Sequence, residues 1–257
     1  MSFAPVIDAL AIPREALVDR RVPKKLLLEQ GAPTAADKRQ VQDGIEEITW
    51  VAALKPINIG VPAFRDAVRE YLEIAVLTVA LRSTAKPPRL IELIHRAIPY
   101  PLVLVTEHRD AVTLSLAHKR WSQGEAGKVV IEDVRQVQLH PDTPSTEEAA
   151  FLASVAVSRL PARDLFALYD GLLQRMAGLE AARITGAFAP PESAERASAL
   201  REGLGAHARL QRDLAILRAK ANKEKQLNRR VDLNMEIKRL EAKSATTEET
   251  LSPGGTH

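Results

Sequence analysis

Three carboxylates, Asp66, Glu70 and Glu73, sit just before and at the start of an apolar run, Leu72–Arg82 (LEIAVLTVALR), that reads as a β-strand. A hard cation such as Mg²⁺ wants clustered carboxylate oxygens. With a lysine to help activate water, such a cluster would hydrolyse a phosphodiester in the manner of a restriction-type nuclease. That site also needs an acid on the strand itself and a Glu-x-Lys pair on the next, yet this strand carries Thr78, Ala80 and Arg82. The carboxylate is missing where it is needed, so the three acids read as solvated residues at the end of a structural sheet. A divergent Mg²⁺-dependent nuclease, requiring a shifted register, is the alternative reading.

The other nucleophile and ligand types are no better placed. The histidines are His95, His108, His118, His140, His207 and His257; they form no HExxH pattern, and no two lie four apart on one helix. His95, inside an apolar helix, reads as a hydrogen-bonded, partly buried residue. Neither GxSxG nor GxxxxGK occurs. There is no cysteine, which excludes disulfides, thiolate nucleophiles and cysteine-based metal sites. No catalytic residue, metal or cofactor is assigned, and the expectation leans away from an enzyme.

Binding chemistry is better represented. Arg218, Lys220, Lys223, Lys225, Arg229 and Arg230 are accompanied by a single acid, Glu224, in their window. A belt of this kind attracts either a phosphate backbone, with steep salt dependence, or a charged protein surface. No aromatic residue interrupts it, which argues against stacking on single-stranded bases. The belt lies within a segment whose Leu200, Leu204, Leu210, Leu214, Leu217, Ala221, Val231 and Met235 recur at steps of three and four or their multiples. That is the seam with which a helix buries one stripe against another helix. Leu210, Leu214, Leu217, Ala221, Val231 and Met235 are therefore the expected helix interface, and the six cations the expected nucleic-acid or partner contact. Gly203 and Gly205 are the positions at which the helix would most readily divide.

These residues must be carried by a scaffold of 257 residues, long enough for one good core and an extension. The aromatic fraction is 4%, so the core should be aliphatic, and the net charge of +3 makes any attraction to nucleic acid a local matter. Val6–Ile12 and Lys24–Glu29 read as short helices, and Thr34 caps a helix to Asp43. Ile45–Leu54 and Leu72–Arg82 read as strands covered on both faces. Pro87 and Pro88 open the helix RLIELIHRAI. Leu102–Thr106 and Ala111–His118 read as strands joined by Glu107–Asp110, and Lys128–Val134 as a further strand.

The expected fold is α+β. A mixed α/β sheet domain over residues 1–142 runs strand, strand, helix, strand, strand, strand. A helical hairpin follows over 143–189, opened by the Ser145/Glu148 capping box and by Pro161. A long coiled-coil-like helix over 190–243 and a disordered tail over 244–257 complete it. No apolar run is long enough to span a bilayer, and the N-terminus lacks a signal-peptide pattern, so a soluble, cytoplasmic protein is expected.

Three passages, IEEITWVAALKPINI (45–59), LIELIHRAIPYPLVLVTEHRDAVTLSLAHKRW (90–121) and KEKQLNRRVDLNMEIKRLEA (223–242), together resemble the bacterial domain-of-unknown-function family 4391. The resemblance implies a context, a companion of helicase-like ATPases or DNA methyltransferases in anti-phage and restriction-type gene clusters; it supplies no activity. The sequence expectation is thus a non-catalytic adaptor or scaffold subunit of a defence or DNA-processing complex. It would dock through the long helix to such a partner or to a second copy, with no membrane partner and with DNA contact through the belt. A DNA-binding module acting alone is the third reading.

Overall fold

The computed structural model describes residues 3–125 and 129–253. Lys128, the expected first residue of a strand, and residues 254–257 of the expected tail lie outside them. The chain forms two compact units, Met1–Met176 and Ala177–His257.

In the first unit, α1 (Ala4–Ala9) precedes β1 (Leu17–Arg21), α2 (Lys25–Gln30), α3 (Ala35–Gly44) and β2 (Ile45–Leu54). Then come α4 (Pro56–Ile59), the short β3 (Phe64–Arg65) and β4 (Glu70–Tyr71), β5 (Ile74–Leu81) and α5 (Pro87–Ala97). β6 (Leu102–His108), β7 (Ala111–Leu116), β8 (Lys119–Trp121), β9 (Val129–Ile131), β10 (Arg135–Leu139) and α6 (Thr146–Ser154) follow. α7 (Leu165–Thr185) runs across the division between the units.

Among the described residues the main sheet has six strands in the order β1-β2-β5-β6-β7-β10, and β3-β4 and β8-β9 form two small ribbons. Every neighbouring pair in the main sheet is antiparallel except β5 and β6, which are parallel. A parallel pair needs a crossover, and α5 supplies it. Its Leu90, Ile91, Leu93, Ile94 and Ala97 pack with Leu77, Val79 and Leu104 of the sheet and with Leu27 of α2 and Val41 of α3. The alternate residues Val76, Thr78, Val103 and Val105 are buried as well, so both faces of the central strands are covered. Thr34 accepts the Asp37 N–H at 3.1 Å, the cap that the sequence called for.

Residues 143–176, the part of this segment within the first unit, fold with the sheet. Tyr169 of α7 donates its hydroxyl to the Leu102 carbonyl at 2.8 Å and accepts the Ala117 N–H at 2.9 Å, and the Leu165 N–H reaches the Pro62 carbonyl. α7 begins at Leu165 rather than at Pro161, with Asp164 Oδ1 accepting the Ala167 N–H at 2.7 Å.

In the second unit the long helical segment is two helices, α8 (Ala194–Lys223) and α9 (Leu227–Leu251), packed antiparallel. The chain turns at Glu224–Gln226, where Glu224 and Gln226 are both extended (ψ 125° and 120°) and the Glu224 carboxylate accepts the Gln226 N–H at 2.8 Å. Gly203 and Gly205 do not divide α8; Gly203 instead permits a close approach, since a Cβ there would stand 2.9 Å from Leu251 Cδ2. The expected disorder from residue 244 is replaced by helix to Leu251, because Ser244 and Leu251 are buried seam residues. Among the described residues no helix is long and apolar enough to cross a membrane.

Candidate functional site

The α8–α9 hairpin carries all of the residues proposed as contacts, and its own packing decides which remain available. Leu200, Gly203, His207, Leu210, Leu214, Leu217 and Ala221 step three and four apart along α8, and Leu233, Ile237, Leu240, Ser244 and Leu251 answer them on α9. Leu210, Leu214, Leu217 and Ala221 are buried where the sequence placed a seam. Part of that seam is therefore covered by the chain itself.

Val231 and Met235 are not in it. They would continue the α8 heptad if the helix were unbroken, but the turn at 224–226 resets the phase, and the seam positions become the half-buried Leu233 and the buried Ile237. Two residues amount to about 200° around a helix of 3.6 residues per turn, so Val231 and Met235 point to the far side. They are 48% and 59% exposed, and Leu227, four residues before Val231, is 64% exposed. The three form a continuous apolar row on the outer face of α9.

The six cations surround the turn. Arg218 is neutralised by Glu241 at 2.7 Å across the hairpin. Lys220, Lys223 and Arg229 line a shallow cleft together with Glu224, Asp232 and Glu236. The belt that looked uniformly basic along the sequence is thus flanked by acids brought in from α9. Lys225 and Arg230 lie outside that cleft; neither they nor Arg229 belongs to an ion pair among the described residues. Midway along the hairpin, His207 faces Glu248 at 3.2 Å and Gln211 donates to Ser244 Oγ at 3.1 Å, a polar layer suited to fixing register.

The carboxylates considered for hydrolysis are dispersed. Glu73 pairs with Lys55 at 2.9 Å, Glu70 with Arg65 at 3.4 Å, and Asp66 Oδ1 caps a turn by accepting the Val68 and Arg69 N–H groups, both at 2.7 Å. Thr78 is buried in β5, beside Val105 of the parallel strand. Among the described residues no three His, Asp or Glu side chains are grouped to hold a metal ion. His95 is fully buried, with Nε2 3.1 Å from Ser115 Oγ, and burial together with the nearby Lys119 pushes it down to about 3. His108 approaches the Ser83 carbonyl and His140 the Glu148 carboxylate, while His257 lies outside the described residues.

One constellation was not foreseen. His118, just after β7, stands 2.6 Å from the Tyr71 hydroxyl through Nδ1 and 3.2 Å from Asp170 Oδ1 through Nε2. The carboxylate only accepts, which assigns a proton to Nε2, and Nδ1 is placed to accept the Tyr71 O–H. Phe166 stacks against Phe64 at 5.0 Å and carries the Arg69 guanidinium 5.2 Å from its centroid, while Arg69 also meets Glu132 at 3.2 Å. An Asp–His–hydroxyl series has the connectivity of a nucleophile-activating triad. Here the hydroxyl is fully buried, and burial pushes the Tyr71 phenol well up. It has no route to a substrate, so the series works as a latch holding α7 to β4 and to the link between β7 and β8.

The model of the family described as Domain of unknown function (DUF4391) matches residues 10–243. The chain belongs to that family. Comparisons with curated proteins and with solved structures gave no match. In this DUF4391 chain the matched span takes in the whole sheet, the His118 latch and both helices of the hairpin almost to Ser244. The signal that would have found the latch is scarcity: the chain has three tyrosines, and two of them, Tyr71 and Tyr169, meet His118.

Proposed function

We propose that this DUF4391 protein is a non-catalytic adaptor that docks a protein partner on the turn end of the α8–α9 hairpin, within a bacterial DNA-processing or phage-defence assembly. The observation that carries the reading is the row Leu227, Val231 and Met235, exposed on the face of α9 away from its own seam, with Arg230 beside it and Lys225 at the turn that precedes it. An apolar row with a basic margin suits an acidic amphipathic surface. The acids flanking Lys220, Lys223 and Arg229 favour a protein contact over a bare phosphate backbone, which wants uncompensated cations. The defence setting, and a helicase-like ATPase or DNA methyltransferase as the partner, rest on the family resemblance alone.

The test is co-elution of the full chain with the ATPase or methyltransferase encoded beside it. Leu227→Lys with Met235→Lys should abolish the complex and leave the melting temperature unchanged, since both side chains are solvent-facing. Undiminished co-elution of that variant would remove the docking face. Mg²⁺-dependent cleavage of duplex DNA that disappears in Glu73→Ala would replace the adaptor by a nuclease.

A further inference from the structure

On the first unit, beside the latch, a cavity of about 200 Å³ opens between β4, β8 and the segment that joins α5 to β6. Leu72, Tyr100 and Trp121 form its apolar walls, and Glu70, Lys119 and Arg120 supply its polar groups. Leu72 and Tyr100 are exposed, so the mouth is reachable from solvent. Lys119 is the anomaly: it is 3% exposed, and its Nζ donates to the main-chain carbonyl of Ile98, next to the Pro99 wall. An ammonium has three N–H donors, and no carboxylate forms an ion pair with this one among the described residues. The cavity's own acid, Glu70, is committed to Arg65. A buried cation without a counter-charge is costly, and at Lys119 burial pushes the amine down to about 7. The titratable groups around it do not repair this. Arg120 is a second cation, Tyr100 stands at the mouth, Tyr71 is a buried phenol, and His95 of α5 is an imidazole that burial keeps neutral.

We propose that the cavity is a binding site for a small planar carboxylate, an aromatic acid of about benzoate size. Its carboxylate takes the counter-ion place at Lys119, with Arg120 alongside, and its ring lies among Trp121, Tyr100 and Leu72. Size decides the class: sites for drug-sized ligands run to roughly 300–1,000 Å³, so this cavity takes one ring and one anionic group and excludes a nucleotide. The apolar walls select an aromatic or similarly flat body over inorganic anions.

Benzoate, its neutral isostere benzamide and inorganic phosphate are titrated into the full-length protein by calorimetry at pH 6 and pH 9. Benzoate should bind at pH 6, with benzamide and phosphate at least about tenfold weaker. Its affinity should fall about ten- to a hundredfold by pH 9, because a free amine titrating near 7 must take up a proton to bind the anion. Lys119→Met should lose the binding and its pH dependence together. Lys119→Arg should keep the binding and flatten the pH profile, and Leu72→Trp should block the mouth without touching the amine. Equal affinity for benzamide, phosphate competing as well as benzoate, unchanged benzoate binding in Lys119→Met, or no heat with benzoate at millimolar concentration would each overturn the site.

Discussion

Tyr71 and His118, 47 positions apart, meet at 2.6 Å, and their contact continues through His118 Nε2 to Asp170 at the start of the long helix α7. Three elements remote in sequence are tied by one imidazole. The buried position of the Tyr71 hydroxyl makes the tie structural, and the energetics of such a group are asymmetric: one partner removed leaves the other desolvated and unsatisfied, whereas both removed leaves an apolar patch.

Tyr71→Phe should therefore cost about 1–3 kcal/mol in urea unfolding, the penalty of a stranded His118 Nδ1. Adding His118→Phe should recover part of that loss, so the double variant is more stable than the two single losses predict. Strict additivity of the two changes would mean that the contact is incidental.

The Asp37 carboxylate accepts from Arg89 Nε at 2.8 Å, from Arg89 Nη2 at 3.0 Å and from the Thr34 hydroxyl at 2.8 Å. The Arg89 hydrogen bonds, and then that of Thr34, hold it down to about 2 from an ordinary 3.8. A depressed acid stabilises the fold above its unfolded value, and the benefit is lost as pH falls through the folded one. Arg89→Gln should accordingly lower the melting temperature at pH 6 and above. The gap to the parent should close between pH about 4 and about 2; a gap that stayed constant over that interval would show that the pair does not carry the α3–α5 contact.

Much of the first unit could be read from local pattern. Ile45–Leu54 has the bounds expected of it, and Pro87 and Pro88 open α5 as proline does at a first turn. β1 was missed because LVDRR is an edge strand with mostly solvent-facing polar side chains. β10 (RQVQL) alternates so briefly that only Val137 and Leu139 mark its inner face. The hairpin turn was hidden for a different reason: Glu224–Gln226 contains neither glycine nor proline, and the 3/4 spacing of apolar residues persists on both sides of it. Periodicity reports that a helix has a stripe; it does not report a phase change between two helices that share one. The latch is invisible to local reading because its members lie 47 and 52 positions apart.

That phase change has a direct consequence for stability. Leu214 is buried against α9, so Leu214→Ala should cost about 2–5 kcal/mol, whereas Met235→Ala, on the outer face, should stay within about 0.5 kcal/mol of the parent. Guanidinium unfolding of the two variants compares them. A loss from Met235→Ala as large as that from Leu214→Ala would restore the single unbroken heptad and discard the turn at 224–226.

Gly31 closes α2 where that helix meets α5. A Cβ on it would stand 2.6 Å from Ala97 Cβ and 2.7 Å from the Leu93 carbonyl oxygen. Its φ of −109° is open to any residue, so the requirement for glycine is purely one of contact. A main-chain oxygen cannot swing aside as a side chain does, and relief demands that α2 and α5 separate; overpacking of this kind costs about 1–3 kcal/mol. At Gly44, by contrast, the nearest atom is the end of the Leu90 side chain at 2.9 Å, which can rotate away. Thermal unfolding should therefore place Gly31→Ala below Gly44→Ala by several degrees, at about 2–4 °C per kcal/mol for a unit of this size. Equal melting temperatures would mean that α2 packs on α5 more loosely than the Gly31 to Leu93 approach requires.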